Sequence, residues 1–528
     1  MRTDSPLRHA TGGMVSTVDH LASSAGVGVL AAGGNAADAA VAASAALAVT
    51  TQHMCGMGGD LWALVHDGSG APATLNSSGR APSGASAAEL RAEGHADMPF
   101  RGDARSATVP GCVDGWLALH ERCGRLPLAD VLAPAIRLAR GGFPCGASLA
   151  ASLERIAGTP GNDDYFPDGW PAVEGQRVRR PLVADALEAI AADGRDAWYQ
   201  GPFGDGLLAL APGWFTPGDL DVSQAEWVDP LVADAWGHRL WTPPPNSQGY
   251  LSLAGALVAD GLDLGDDPDD ARWGHLLIET AKQVGHDRGA VLSDQADGAA
   301  LLAADRLDPR RAAIDPERAS GAGGLVGGGG TIHLCVVDGD GMGVSLIQSN
   351  AAGFGTNLAV PEVRVFLHNR GIGFSLAEGH PAELAPGRRP PSTLSPALVT
   401  RPDGRLRAVV GTMGGDGQPQ VILQLVARLL QAGQDAGTAM AAPRFTLTAP
   451  GAHGFDTWAD PDRLAVGLEF GSPWADGLAA RGHRIDPRPW GESLFGHAHI
   501  IEVLDDGAGQ VQAGAADPRA GISAALGL

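Results

Sequence analysis

Residues 321–337 read GAGGLVGGGGTIHLCVV, and the meaning of Thr331 within them decides how the rest of the chain is organised. The four consecutive glycines from Gly327 to Gly330 have no side chains to hold a fixed backbone, so they make a pliable loop. Ile332-His333-Leu334-Cys335-Val336-Val337 is a short β-branched run that ends in Asp338-Gly339-Asp340-Gly341, the pattern of a strand entering a turn. A cut between Gly330 and Thr331 would leave Thr331 as an N-terminus at the head of that strand. Its hydroxyl would then lie beside its own free α-amine, one of the arrangements that activates a weak hydroxyl nucleophile. The other reading is a flexible linker that ends in threonine. On this stretch alone both stand.

Residues 344–349, VSLIQS, form a second alternating run, so the turn residues between the two runs make a β-hairpin. Pairing about the middle of the turn sets Thr331 opposite Gln348, with Ser349 one residue away. A polar pair beside Thr331 at the open end of a hairpin favours chemistry there over a plain linker.

Upstream, residues 19–30 and 35–49 have the apolar spacing of two helices separated by Gly33-Gly34, with Asn35 as the cap of the second. The second is alanine-rich and apolar nearly all round, which places it in the interior. Strands are expected at 61–66 and 73–76, further helices within 108–145, and mixed helix and loop over 146–245. Helices are expected again at 250–260 and 273–292. Downstream, short strands are expected at 364–367 and 406–410. The second of these runs into Gly411-Thr412-Met413-Gly414-Gly415-Asp416-Gly417, followed by a helix over 420–431. A glycine-rich turn between strand and helix directs free backbone N–H groups at one point, which suits an anion or an oxyanion. It has neither the G-x-G-x-x-G spacing of a dinucleotide fold nor the G-K-[ST] of a phosphate loop.

The bulk composition narrows the function classes. A net charge of −23 with no dense basic run argues against a nucleic-acid partner. The most apolar run, 38–50, is too short to span a bilayer, and the first residues carry no signal-peptide core, so a cytoplasmic protein with no membrane partner is expected. Five cysteines, with no C-x-x-C spacing, suggest neither a disulfide framework nor structural zinc. Lys282 is the only lysine, so any lysine-based nucleophile would have to use it. His497 and His499 form an H-x-H on an expected strand, with no third ligand nearby, and read as ordinary strand histidines. Neither metal nor cofactor is expected. No G-x-S-x-G elbow is present.

Taken in order, the segments 13–15, 30–40 (LAAGGNAADAA), 56–60, 132–144 (LAPAIRLARGGFP), 329–337, 345–355, 389–396, 411–415, 442–445 and 517–519 resemble the γ-glutamyltransferase family of N-terminal-nucleophile hydrolases. The resemblance implies an α+β fold, a four-layer αββα sandwich. It also implies self-cleavage before Thr331 into a large subunit, 1–330, and a small subunit, 331–528, with a homodimer of that pair allowed. Thr331 would be the nucleophile, Ser349 its hydroxyl partner, and Gly414 and Gly415 the oxyanion-hole glycines. Ser392 and Thr393 would hold the substrate carboxylate. The family's carboxylate-binding arginine falls at Ser78, which leaves Arg80 as the nearby arginine. The acidic stretch that holds the substrate amine falls at 370–373, RGIG, which has no carboxylate.

The segments SGRAP, GIGFSL and GTMGGDGQPQ resemble the acylase-like branch, which includes class IV cephalosporin acylases. The expected activity is therefore transfer of a γ-glutamyl or related carboxyacyl group from a small amide, glutathione-like or glutaryl, to water or an amine. The alternative is a non-catalytic binding or assembly protein that retains the fold.

Overall fold

A computed structural model of the chain describes residues 6–320, 330–448, 455, 457–459, 464–505, 507 and 509–528. Gly327, Gly328 and Gly329, expected as a pliable loop, lie outside the described residues. Gly330 opens a nine-residue strand, Gly330–Asp338.

Two seven-stranded sheets, each antiparallel throughout, dominate the molecule. The first runs, edge to edge, through Ala524–Gly527, Gly13–Thr17, Gly330–Asp338, Gly343–Ala351, Asp60–His66, Ala73–Ser77 and Glu226–Val228. The second runs through Arg8–Ala10, Gln510–Ala516, Ala498–Asp505, Leu406–Thr412, Ala397–Thr400, His238–Thr242 and Leu231–Ala235. Alternate residues of a strand face opposite sides, so each sheet needs two apolar covers. Met14, Leu64, Cys335 and Val337 of the first sheet meet Leu398, Val409, Ile501 and Val503 of the second in one buried cluster between them. Ile332, Leu334, Val336 and Leu346 face the other way, into a cluster with the helices His20–Ala31, Ala36–Thr50 and Cys112–Cys123. Val399, Ala408, Val410 and Ile500 face a third cluster with Tyr250–Asp260, Ala271–Gly285 and Gln418–Val426.

The alanine-rich helix shows why this packing forms. All fifteen residues of Ala36–Thr50 are buried, and small side chains on every face let it lie close to sheet and neighbouring helices at once. Its N-terminus is closed by a reciprocal capping box between Asn35 and Asp38. Asp338, at the hairpin turn, adds a carboxylate oxygen to the Ala36 N–H at 2.9 Å. The other oxygen of Asp338 accepts from the N–H groups of Asp340 and Met342 at 3.0 and 2.9 Å. One side chain thus shapes the turn and ties it to the buried helix.

That turn also corrects the expected register. Thr331 pairs with Ser349, and Ile332 with Gln348. The loop holds three residues, because Asp338 pairs back to Met342 through its backbone N–H, and Gly341 adopts φ +93°, a conformation that favours glycine. Other expectations shift in similar ways. Residues 273–292 divide into Ala271–Gly285 and Arg288–Val291. Gly285 packs so tightly on Trp458 that an added Cβ would lie 2.1 Å from the indole, and Asp287 is drawn out to Arg306 and Arg310. The strand Gly13–Thr17 and the strands within 226–242, which extend both sheets, were not expected from local pattern. The helix expected over 420–431 begins at Gln418 and continues beyond Val426 as a π-turn, Ala427–Gln431.

Candidate active site

Thr331, Ser349 and Asp60 lie side by side on three adjacent strands at one end of the first sheet, and all three are buried. Ser349 Oγ is the hub. It donates to the Gly330 carbonyl at 2.8 Å and accepts the Ala351 N–H at 2.7 Å. With its one proton given to Gly330, it accepts from Thr331 Oγ1 at 2.8 Å. A hydroxyl, its proton acceptor and a polarised carbonyl therefore meet at the Gly330–Thr331 peptide. The strand is irregular at this point, with a register shift between Gly330 and Thr331.

Gly414 and Gly415 form the turn between the strand Leu406–Thr412 and the helix Gln418–Val426, with φ of +131° and +56°. Both values are readily reached by glycine, so the turn is written into the sequence. Gln248 fastens it from outside the motif. Its side-chain amide donates to the carbonyls of Gly415 and Thr393 at 2.9 and 3.1 Å, and its oxygen accepts from Arg288 Nε at 2.8 Å.

The Ser392–Thr393 segment is stitched to the large N-terminal part of the chain. Ser392 N–H donates to Asn246 O at 2.8 Å, and Ser247 Oγ donates to Leu394 O at 2.6 Å. Thr393 Oγ1 accepts from Arg370 Nη1 at 3.0 Å, while Arg370 Nε donates to Asp60 Oδ2 at 2.7 Å. Arg370 and Asp60 are both buried, so this ion pair is shielded from water and from screening. Asp60, 310 residues away in sequence, brings the carboxylate that the RGIG segment lacks, and Arg370 consumes it.

Arg80 stands apart from this network. Its backbone N–H binds Gln224, and its guanidinium pairs with Glu226 at 2.7 Å on a partly exposed face. Arg389 reaches the same Glu226 at 3.3 Å and Ser78 Oγ at 3.4 Å. Burial, then the nearby Arg80 charge, pulls the Arg389 pKa down to about 10.

A cleft of about 330 Å³ reaches the junction at Gly330. Gly353, Met413, His53, His497, Arg101 and Arg155 line it, and among the described residues no carboxylate does. Burial first, with Arg155 and His497 adding to it, pushes the His53 pKa down to about 3, and burial lowers that of His497. Both rings are therefore neutral at ordinary pH, and His53 is too weak a base to take a proton there. His499 turns elsewhere, to Ser16 Oγ at 3.2 Å and to a stack with His333, so the H-x-H residues do not converge on one point. Among the described residues, the grouping that gathers three ligand-type side chains is His275, Glu279 and His483, and its Glu279 already holds Lys282 at 2.8 Å. Cys335 is buried between the sheets, where desolvation raises its thiol pKa well above the usual range, as suits a core residue.

The structure brings Thr331 and Ser349 together and forms the glycine turn, and it adds to them Asp60 and Gln248, which local sequence pattern does not single out. Asp60 ends the GMGGD segment of the resemblance, which was the one available signal for it. No helix of the described residues is long and apolar enough to cross a membrane.

Comparison with known proteins places this arrangement. The family described as "Gamma-glutamyltranspeptidase" matches residues 22–526. The "Glutathione hydrolase-like YwrD proenzyme" of Bacillus subtilis (strain 168) is 35% identical, over 98% of this chain and 98% of its own length. The "Oxamate amidohydrolase proenzyme" of Klebsiella pneumoniae is also 35% identical, with the same coverage of both chains. Among solved structures, a cephalosporin acylase from Bacillus halodurans superposes with a TM-score of 0.90 at 32% identity, over 100% of this chain and 98% of that one. Two of these relatives are named as proenzymes, all three are named for hydrolysis or acyl chemistry, and the match runs nearly end to end: the chain belongs to the γ-glutamyltranspeptidase family of enzymes.

Proposed function

We propose that the chain is an autoprocessed amidohydrolase or acyltransferase whose nucleophile is Thr331. The observation that carries this reading is the hub at Ser349 Oγ, 2.8 Å from both Thr331 Oγ1 and the Gly330 carbonyl oxygen. In the unbroken chain, Thr331 Oγ1 attacks the Gly330 carbonyl carbon and the Gly330–Thr331 C–N bond breaks. The hydroxyl proton ends on the departing nitrogen, leaving an ester. Water then hydrolyses the ester, giving a large subunit, 1–330, with a terminal carboxylate, and a small subunit, 331–528, with a free Thr331 amine and hydroxyl. The amine becomes the base that His53, its pKa held near 3 by burial, cannot be.

In the mature enzyme the same hydroxyl attacks the carbonyl of a small amide. Gly414 and Gly415 N–H groups stabilise the oxyanion, Ser349 holds the hydroxyl, and the acyl group passes from Thr331 to water or to an amine. Ser392 and Thr393 hold the acyl carboxylate, with Arg80 as a further candidate contact. The fold reading that goes with this mechanism is the four-layer αββα sandwich, supported by the helix-covered outer faces of two sheets that pack on each other.

The acyl group is of the glutaryl type rather than an α-amino acyl. Asp60 is consumed by Arg370, which also binds Thr393, so among the described residues the carboxylate at this point is already paired and is not offered to an ammonium group. Intact-mass analysis on a denaturing gel tests processing, with Thr331→Ala remaining a single chain. Comparing a glutaryl anilide with the γ-glutamyl anilide tests the acyl group. A strict requirement for the α-amine would overturn the glutaryl assignment, and a wild-type chain that stays whole would overturn the mechanism.

A further inference from the structure

An acyl group held at both ends is measured by the distance between its two holders. Ser392 and Thr393 are the proposed seat of the acyl carboxylate, and Gly414 and Gly415 the proposed seat of the oxyanion. The gap between these segments therefore sets how many methylenes fit between the carboxylate and the reacting carbonyl. Ser392 and Thr393 precede the strand Ala397–Thr400, and the glycine turn follows the strand Leu406–Thr412. Ala397 pairs with Val410, so both segments leave the second sheet at the same end, and the ladder between them stops at that pair. Beyond it, side chains must fix the gap.

Gln248 bridges the gap at the two residues concerned. Its Nε2 donates to Gly415 O at 2.9 Å and to Thr393 O at 3.1 Å, and the whole residue is buried. Arg288 decides which way the amide points. A guanidinium only donates, so with Arg288 Nε 2.8 Å away the amide oxygen faces Arg288 and the NH2 group faces the carbonyls. Arg288 Nη2 also lies 3.3 Å from Asp416 Oδ1, which grips the residue after Gly415. Both amide hydrogens are thus used, one on each segment.

A second link lies farther from the site. Gln418 Oε1 accepts from the N–H and the Oγ of Ser395, both at 3.2 Å. Gln248 is also anchored apart from its side chain. Its backbone N–H donates to Ser392 O at 2.9 Å, and the neighbouring Ser247 Oγ donates to Leu394 O at 2.6 Å. Truncating the Gln248 side chain leaves those bonds and the Gln418 link in place. What it releases is the glycine turn from Thr393.

We propose that Gln248, oriented by Arg288, is a specificity-determining ruler that sets the length of acyl chain the enzyme accepts. The proposal rests on the Thr331 amidohydrolase reading and deepens it. Gln248 is a positioning residue, since it acts through Thr393 and Gly415 and not on the reacting atoms.

The test uses the 4-nitroanilides of succinic, glutaric and adipic acid, which differ by one methylene each, with wild type, Gln248→Ala and Gln248→Glu. Wild type is expected to prefer one length over its neighbours by about tenfold or more in kcat/KM, the discrimination a single methylene supports in a shaped site. Gln248→Ala lowers that preference by about fivefold, in keeping with the loss of one ordinary hydrogen bond. Gln248→Glu keeps an oxygen for Arg288 but turns an acceptor on the two carbonyls, so it flattens the profile too and serves where the alanine variant fails to fold. Rates that fall alike for all three lengths, with their ratios unchanged, overturn the ruler, because a merely structural brace acts in that way. A wild type that shows no length preference overturns it as well. A wild-type optimum at succinyl or adipoyl that flattens in the variants upholds the ruler and counts only against the glutaryl assignment. Calorimetric titration with the product diacids, succinate, glutarate and adipate, reads the same gap without turnover. Length-selective binding that Gln248→Ala flattens upholds the ruler even if no anilide is cleaved, a result that would count only against the amidohydrolase reading. Diacid binding with the same profile in wild type and variant, in the absence of anilide cleavage, overturns it, and so does the absence of any diacid binding.

Discussion

Replacing Ser349 by alanine removes one oxygen and strands three groups. The Gly330 carbonyl loses its donor, the Ala351 N–H loses its acceptor, and the Thr331 hydroxyl loses the partner 2.8 Å away. The carbonyl and the N–H are buried main-chain groups, and each orphaned group costs roughly 1–3 kcal/mol, so the fold loses about 2–6 kcal/mol. The effect on processing is larger in kind, because the Ser349 donor faces the carbonyl on which negative charge develops. Loss of a single donor of that sort slows acyl chemistry by about 10²–10³-fold. The assay is a time course of the uncut 53.8 kDa chain on denaturing gels after purification, read beside a thermal melt. Ser349→Thr keeps the hydroxyl and is expected to process within about tenfold of wild type, which separates the chemical effect from a packing defect. Wild-type processing by Ser349→Ala would refute the reasoning, since no other side chain of the described residues donates to that carbonyl.

The remaining predictions concern the frame around this hub. Asp60→Asn leaves the Arg370 charge buried without its partner and is expected to cost roughly 3–5 kcal/mol by denaturant unfolding, whereas the double change Asp60→Leu with Arg370→Met costs less. Gly330→Ala places a Cβ 2.8 Å from the Gly353 nitrogen, a backbone atom that cannot swing aside, so the junction must shift and the variant is expected both to process more slowly and to melt at a lower temperature. His499 is buried neutral, its pKa held near 3 by burial against 6.5 when free. The unfolded chain therefore takes up that proton first, and stability falls as pH drops from about 6.5 toward 3, by up to about 1.4 kcal/mol per pH unit from this one ring. His499→Gln is expected to flatten the pH dependence of unfolding by about that slope, and parallel slopes for the two proteins would count against it.

How much of this was legible in the sequence follows from distance along the chain. The hairpin around Asp338–Gly341 is local, and composition alone exposed it. Its register was off by one because the three-residue loop depends on a side chain, Asp338, bonding two backbone N–H groups. The Gly414-Gly415 turn was also readable, since the backbone there takes positive φ and the residues that reach it easily stand in the sequence. The strand Gly13–Thr17 was not, because its partners are Ala524–Gly527 and the strand after Gly330, and only the closed sheet shows it as a strand. Asp60 and Arg370 lie 310 residues apart, and no periodicity links them.

The sheet order bears on how a chain cut before Thr331, as proposed, would keep a site that spans the cut. In the first sheet the strands that would belong to the small piece, Ala524–Gly527 and the hairpin Thr331–Ala351, alternate with Gly13–Thr17 and Asp60–Ser77 of the large one. In the second, Gln510–Ala516, Ala498–Asp505, Leu406–Thr412 and Ala397–Thr400 lie between Arg8–Ala10 on one side and the pair His238–Thr242 and Leu231–Ala235 on the other. Breaking the Gly330–Thr331 bond would act only at the head of the strand, where Gly330 pairs with Ala351, and would leave the pairs from Ile332 to Val337 in place. Each piece would have to expose sheet edges and apolar faces to leave the other, so the pieces are expected to elute together in native chromatography and separate only with unfolding. The Asp60–Arg370–Thr393 chain makes the same point at the site, since Asp60 lies in the first piece and Arg370 and Thr393 in the second. If the bond is cut as proposed, Thr331 gains a free amine while the strands on either side of its own keep their pairing. Separation of the two pieces in native buffer, with the sheets otherwise intact, would show that the interleaving does not hold them.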